Sequence, residues 1–178
     1  MRFAVLMRKQ NIDNPWVSFK WVPQEVLPDF GQFAHDAQSD KITGQFLGRD
    51  EQGDSWLFTG YELSLYPDEA EGYYLNLSAP KPCWFVMWRL EEDIERYIDE
   101  QSLSLAQSDS TFAVPHRIAV SYNEAGRLSD GGESVDNVPM SDEHASWLQE
   151  YVNEHYHPEP KKRHRPASFK GADRSAED

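Results

Sequence analysis

Short runs in which apolar and polar residues alternate recur through the first two thirds of the chain, and they restrict it to a fold rich in β-strands. In the first run, Phe3, Val5 and Met7 fall on one side of an extended backbone. A period of two places successive side chains on opposite faces of a sheet. The predicted strands cover residues 2–7, 16–22, 42–47, 55–66, 73–78, 83–90 and 111–120.

These runs predict an α+β fold with a twisted, mostly antiparallel sheet of about six strands. The run 83–90, "CWFVMWRL", is apolar on both faces, as a central strand requires. Runs 55–66 and 73–78 are predicted to form a hairpin, with Gly60 as a candidate bulge.

Three segments have helical patterns. Residues 91–101 carry apolar side chains at helical spacing. Ser121 and Glu124 form a capping box, which predicts a short helix from Tyr122 to about residue 131. Ser141 caps the strongest predicted helix, 142–155, whose apolar stripe is expected to pack on the sheet. That stripe consists of Trp147, Leu148, Tyr151 and Val152.

The composition changes after residue 157, where six Lys or Arg accompany four Asp or Glu. Segment 158–178 has too few apolar residues to form a core, so it is predicted to be a disordered tail, basic and then acidic. Residues 1–157 are predicted to form one α+β domain. Without the tail, the body has 11 basic and 27 acidic residues, a net charge of −16.

The strong acidity limits the partners that the protein could bind. A net charge of −14 at pH 7 argues against nucleic acid and against an anionic membrane surface. It favours a basic protein partner, although the charge could instead serve only solubility. No run is long enough to span a bilayer, no signal peptide is evident, and one cysteine, Cys83, cannot form an intramolecular disulfide. We therefore expect a cytoplasmic protein with no membrane insertion.

The sequence contains no recognisable catalytic motif. Nucleotide-binding loops, CxxC, HExxH and GxSxG are all missing. His155, His157 and His164 cluster near the last helix, but a zinc site needs about four well-placed ligands. His116 is interpreted as structural. We expect no metal, no cofactor and no enzymatic activity.

The segment "NPWVSFKWVPQEVLP", residues 14–28, combines aromatic residues with three prolines. Its alternation predicts Val17, Phe19 and Trp21 as core and places Trp16 on the opposite face. Pro23 is predicted to end the strand near a sheet edge, because proline has no N–H to donate. Trp16 is then a candidate partner anchor, since tryptophan is enriched at binding hot spots. Alternatively, it could simply cover the end of the core.

Three stretches of the chain resemble one bacterial family. "DNPW" near the start, the pattern Y-x-x-N-L-x-x-x-x-P before the central strand, and "VPM" before a Trp-bearing terminal helix are similar to the domain of unknown function 3305 family. Segment 91–101 with its linker is longer than in typical members, and the tail ends acidic. The predicted partner-binding residues are Asn14, Pro15 and Trp16 in the first motif, and Tyr74 and Asn76 in the second.

The resemblance implies a role beside formate dehydrogenase. Members are typically encoded next to molybdenum- or tungsten-dependent formate dehydrogenase, often with a second small uncharacterised protein. This context implies a non-catalytic, chaperone-like accessory protein for maturation of that enzyme, binding a dehydrogenase subunit or its export signal. The alternatives are an enzyme or carrier acting on a molybdopterin(-guanine dinucleotide) intermediate, and an interaction protein unrelated to cofactor delivery. The chain lacks the Gly-rich phosphate loop that the enzyme would need.

Overall fold

The fold consists of two antiparallel sheets and four α-helices, seen in a computed structural model that describes residues 1–33, 41–107 and 111–158. The strands are β1 (Arg2–Asn11), β2 (Phe19–Pro28), β3 (Thr43–Asp50), β4 (Gly53–Glu62), β5 (Cys83–Glu91), β6 (Phe112–Ala119) and β7 (Ser134–Pro139). The helices are α1 (Ala70–Leu77), α2 (Leu103–Ala106), α3 (Tyr122–Asp130) and α4 (Asp142–His155). The predicted tail lies beyond the described residues except for Pro158.

The α+β class and the antiparallel pairing are confirmed, but the prediction of one sheet was wrong. A four-stranded sheet has the order β2-β1-β4-β3, and a three-stranded sheet has the order β6-β5-β7. β5 is the central strand of the smaller sheet, as its apolar sequence predicted.

The two sheets share one hydrophobic core. The rings of Phe3 in β1 and Trp84 in β5 lie 4.8 Å apart, centroid to centroid. Phe112 in β6 contacts Trp21 at 4.5 Å and Trp56 at 4.8 Å, so three aromatic rings from three strands meet. Large rings of this kind bury much apolar area, which explains how short strands form a stable interface. The sheets therefore pack face to face across aromatic side chains.

Helix α4 begins and ends where the sequence predicts. The Ser141 side chain accepts a hydrogen bond from the backbone N–H of His144, which caps the helix. Leu148 and Val152 are buried, while Trp147 and Tyr151 are partly buried against the same core. The apolar stripe thus packs as expected.

The strand predicted at 73–78 is in fact helix α1. Pro67 opens a 3-10 turn, Pro67–Glu69, that leads directly into the helix. Ala70, Tyr73 and Asn76 are buried at a spacing of three, and Gly72 beside them is buried as well. In "AEGYYLNL" this helical pattern coexists with an alternating one, because Tyr73, Leu75 and Leu77 also alternate. The segment folds as a helix because the residues at helical spacing are the ones that are buried.

The helix predicted at 91–101 was also wrong. This segment forms a 3-10 turn, Ile94–Arg96, and then runs beside β3. The N–H of Gly44 donates to the carbonyl of Tyr97 at 2.5 Å, and the N–H of Asp99 donates to the carbonyl of Gly44 at 2.9 Å. These two hydrogen bonds pair the backbone of Gly44 at the edge of β3. The predicted helix would have left these backbone groups unpaired.

Gly53 opens β4 in a conformation that other residues rarely adopt, with φ at +135°. A Cβ atom there would lie 1.9 Å from the carbonyl oxygen of Lys9. We expect Gly53→Ala to lower the free energy of unfolding by about 3 kcal/mol, because backbone strain and a backbone clash combine. Urea denaturation measures the change.

Gly48, in β3 of the same hairpin, provides the matched control. Its added Cβ would meet nothing within 4 Å, so Gly48→Ala is expected to change stability by no more than about 0.5 kcal/mol. Equal effects of the two substitutions would contradict a specific steric requirement at Gly53.

Candidate functional site

Residues 12–18 form the connection between β1 and β2, which we term the Trp16 loop. The carboxamide oxygen of Asn14 accepts a hydrogen bond from the backbone N–H of Trp16 at 2.8 Å. The N–H of Ile12 donates to the carbonyl of Ser18 at 3.0 Å and closes the loop. Trp16 itself is 91% exposed, so it does not cover the core. Asn14 thus fixes the backbone that presents the indole ring.

The core assignments after Trp16 are partly corrected. Trp21 is buried and Phe19 is partly buried, but Val17 is 51% exposed. β2 begins only at Phe19, so the strand period does not extend back to Val17. The ammonium of Lys9 lies 4.2 Å from the centre of the Phe19 ring, a cation–π contact at the base of the loop.

The position of β2 at a sheet edge is confirmed, but Pro23 does not end it. The strand continues to Pro28. Leu6 and Met7 pair with Glu25 and Pro23, which leaves Gln24 as an extra residue in a bulge. A bulge on an edge strand tolerates a proline, because the missing N–H takes nothing from the ladder. β2 also contacts β7 of the other sheet.

Tyr74 and Asn76 lie on α1, away from the Trp16 loop. β1 pairs Arg2 with Glu62 at one end and Gln10 with Gly53 at the other. α1 follows β4 at the Arg2 end, whereas the loop follows β1 at the Asn11 end. Ten residues of strand separate these ends by roughly 30 Å. The five predicted partner-binding residues therefore do not form one surface.

Asn76 is buried, with 1% of its surface exposed. Its amide nitrogen donates to the carbonyls of Cys83 and Val120 at 2.8 and 2.9 Å, and its oxygen accepts from the N–H of Cys83 at 3.0 Å. The side chain thus ties α1 to β5 and to the end of β6, and it offers no surface to a partner. Tyr74 is 43% exposed and stacks on Tyr156 at 4.7 Å.

A groove of about 890 Å³ was not foreseen from the sequence. Three segments form its walls. They are residues 60–69, which include the end of β4 and the residues that follow it, residues 116–118 of β6, and residues 124–128 of α3. We term it the β6 groove. Leu63 and Ile118 line it with apolar surface, and several charged side chains surround them.

Two ion pairs organise the charged wall of the β6 groove. Glu69 accepts a hydrogen bond from the Ser121 hydroxyl at 2.6 Å and pairs with Arg127. Burial raises the pKa of the Glu69 carboxyl, but these hydrogen bonds outweigh it, so the pKa lies below its usual value. Arg117 pairs with Glu124 at 2.6 Å. Both arginines are thus neutralised within the wall.

Tyr61, which is buried, and His116, which is partly buried, also line the groove. The Tyr61 hydroxyl donates to the carbonyl oxygen of Pro115 at 2.6 Å, and burial raises the pKa of this hydroxyl well above its usual value. His116 contacts Glu91 at 2.7 Å, in keeping with its structural interpretation.

The capping residues Ser121 and Glu124 were visible in the sequence. Their contact with Glu69 was not, since 52 residues separate Glu69 from Ser121.

Among the described residues, the histidines and the cysteine belong to no cluster that could hold a metal ion. Within residues 1–33, 41–107 and 111–158, no three His, Cys, Asp or Glu side chains come together as a metal site. His155 packs against the ring of Tyr151 at 4.1 Å, and His164 lies outside the described residues. Burial raises the pKa of the Cys83 thiol, which makes it less reactive.

No helix in the described ranges is long and apolar enough to cross a membrane.

Fold and surface together define an α+β protein of two packed antiparallel sheets, with an exposed tryptophan loop at one end and a charged groove at the other. The family model described as "Protein of unknown function (DUF3305)" matches residues 2–165, so the chain belongs to this family. The match confirms the resemblance drawn from the three motifs. Searches of curated proteins and of solved structures each found no match.

Proposed function

We propose that this protein is a non-catalytic, chaperone-like accessory protein for maturation of a molybdenum- or tungsten-dependent formate dehydrogenase. It binds a dehydrogenase subunit, or the export signal of that subunit, through the Trp16 loop. The observation that carries this proposal is the 91% exposure of Trp16 on a loop whose backbone Asn14 holds in place. An exposed indole ring buries a large apolar area on binding, and a loop backbone already held by a hydrogen bond has less conformational entropy to lose.

The neighbouring strand extends the proposed surface. β2 begins at Phe19, immediately after the loop, and lies at the edge of its sheet. An extended peptide can add backbone hydrogen bonds to such an edge. Pro23 and Pro28 supply no N–H groups, so the segment suited to pairing is the short stretch beside the loop. Trp16 would then receive an apolar side chain of the same peptide.

Charge supports a basic partner. The net charge of −14 attracts a cationic segment and speeds its encounter with the protein. Twin-arginine export signals combine arginine with an apolar stretch, which suits an acidic protein that carries an exposed aromatic ring. Such a signal is bound before export, so the proposed location is the cytoplasm.

A second surface is available for a further small accessory protein. Tyr74 and Leu75 of α1 are 43% and 40% exposed, and Tyr74 stacks on Tyr156. Aromatic residues are enriched at protein interfaces. This tyrosine surface lies at the opposite end of β1 from the Trp16 loop, so both partners could be bound together.

An enzyme or carrier acting on a molybdopterin intermediate gains no support from the β6 groove. A phosphate-bearing ligand would require cationic side chains, and Arg117 and Arg127 are already paired with Glu124 and Glu69. We therefore retain the binding function.

Affinity purification of the tagged protein from its native host, followed by mass spectrometry, tests the proposed function. We expect a formate dehydrogenase subunit to be enriched at low salt and depleted when the washes contain 1 M salt, because exposed charges are screened over about 3 Å at that concentration. An untagged strain provides the background. Enrichment of other proteins without any dehydrogenase subunit would contradict the proposal.

A further inference from the structure

The four-stranded sheet has an outer face, turned away from the core, and this face carries an apolar pocket. Because Phe3 and Val5 point into the core, alternation along β1 turns Leu6 outward. Leu6 lies opposite Leu57 of β4, and both line a cavity of about 440 Å³. The other lining residues are Leu27, Gln32, Phe33, Gln45 and Leu47. We term this cavity the sheet pocket.

Phe30 protrudes from the turn after β2, and it is 84% exposed. Its backbone N–H donates to the side-chain oxygen of Gln32 at 2.6 Å, and the N–H of Gly31 donates to the Asp29 carboxylate at 2.8 Å. The side-chain nitrogen of Gln32 donates to the carbonyl of Pro28 at 2.7 Å. These three hydrogen bonds hold the backbone that presents the phenyl ring. Phe30 does not line the sheet pocket of its own chain, although Gln32 does.

The outer face is electrically neutral, unlike the protein as a whole. Pairing and alternation of the four strands turn six charged side chains to this side, namely Arg2, Arg8, Lys20, Glu25, Asp50 and Glu62. Three are cationic and three are anionic, so their charges cancel. Two copies can therefore meet through this face without the repulsion that a net charge of −14 otherwise imposes. A strongly charged partner gains nothing from it.

A protruding ring beside an apolar pocket suits the association of two identical chains. An apolar cavity of roughly 150 Å³ already accepts benzene, so the sheet pocket has room for a phenyl ring. In a two-fold symmetric pair the same patch of each copy meets the other, so each copy both donates a ring and receives one.

We propose that two copies of this chain associate through the outer faces of their four-stranded sheets, with Phe30 of each copy inserted into the sheet pocket of the other. The inference goes beyond the proposed function and does not depend on it. Phe30 follows the end of β2 at Pro28, whereas the Trp16 loop precedes its start at Phe19, roughly 30 Å away. The Trp16 loop therefore stays open to a partner in the pair.

Sedimentation velocity of the purified full chain over a concentration series gives the dissociation constant of the pair. Phe30→Ala is expected to weaken association at least about 30-fold, because each copy loses a hot-spot ring. The matched control is Tyr122→Ala, which removes a 58% exposed ring on α3 and is expected to leave association unchanged. Both variants keep the fold, as thermal melting would verify, since both side chains are exposed.

A second substitution tests the pocket and the reciprocal insertion. Leu47 is 52% exposed, so Leu47→Glu keeps the fold and places a carboxylate at the sheet pocket, and it is expected to weaken association as well. In a mixture, Phe30 of the Leu47→Glu chain still has an intact pocket to enter on the Phe30→Ala chain. The equimolar mixture is therefore expected to associate more strongly than either variant alone.

Four outcomes would each overturn the proposed pair: a protein that stays monomeric throughout the series, association unchanged by Phe30→Ala, equal weakening by Tyr122→Ala, or a mixture no stronger than its two components. A monomeric protein would assign the sheet pocket to a different partner. None of these outcomes bears on capture of a dehydrogenase subunit, because the measurement uses this chain alone.

Discussion

Replacing Asn76 by alanine is expected to lower the free energy of unfolding by about 4 kcal/mol. The substitution removes three hydrogen bonds and leaves the two carbonyls of Cys83 and Val120 and the N–H of Cys83 without their partner. An unpaired buried polar group costs roughly 1–3 kcal/mol, and partial entry of water offsets some of the sum. Equilibrium denaturation by urea measures the loss.

Asn137→Ala is the control for this prediction. Asn137 lies on β7, where its side chain is exposed, so its removal is expected to change stability by no more than about 0.5 kcal/mol. If Asn76→Ala proved as stable as Asn137→Ala, the link between α1, β5 and β6 would not contribute as described. A large loss would explain the asparagine of the family motif by folding and not by partner binding.

Replacing Trp16 by alanine is expected to abolish capture of the dehydrogenase subunit while leaving the melting temperature within about 2 °C of the unaltered protein. The ring is 91% exposed, so its removal takes almost nothing from the core. Loss of a tryptophan hot spot costs a complex at least about 2 kcal/mol, a factor of roughly 30 in affinity. Pull-down and thermal melting of the same preparation give both quantities.

Two other aromatic substitutions control for general effects. Trp21 is buried against Phe112, so Trp21→Ala is expected to destabilise the fold by about 3–5 kcal/mol. Tyr122 is 58% exposed on α3, and Tyr122→Ala is expected to retain both stability and partner. A Trp16→Ala protein that unfolds, or that captures the subunit normally, would remove the Trp16 loop from the proposed function.

Local sequence signals predicted the elements that depend on local chemistry. Ser141 and Ser121 cap helices whose starts were predicted correctly, because a cap involves residues only three positions apart. Gly60 forms the predicted bulge in β4, with φ at +96°, and β1 pairs Phe3 with Tyr61 but Val5 with Phe58 around it. These features require no knowledge of distant residues.

The errors arose where distant contacts decide the structure. Segment 73–78 has both a strand and a helical pattern, and Ser121, which packs against Gly72, lies far along the chain. The backbone of segment 97–99 bonds to Gly44, more than 50 residues away, which no local pattern could indicate. Helix α1 connects the two sheets, since it follows β4 of the four-stranded sheet and precedes β5 of the three-stranded sheet.

The candidate sites were predictable to different degrees. The sequence left Trp16 open between an exposed anchor and a cover for the end of the core, and the structure shows it exposed. Burial of Asn76 was not expected, because asparagine is usually a surface residue. The β6 groove brings together Glu69 and Arg127, which lie 58 residues apart. Its carboxylates are dispersed in the sequence and become neighbours only in the folded chain.

The dissociation constant of the purified protein for a formate dehydrogenase subunit, measured with and without the export signal of that subunit, tests the proposed function most directly. We expect the precursor to bind more tightly than the mature subunit, with an affinity that falls as salt rises from low to physiological concentration. No binding of the precursor, or an affinity that salt does not change, would contradict the proposed accessory role.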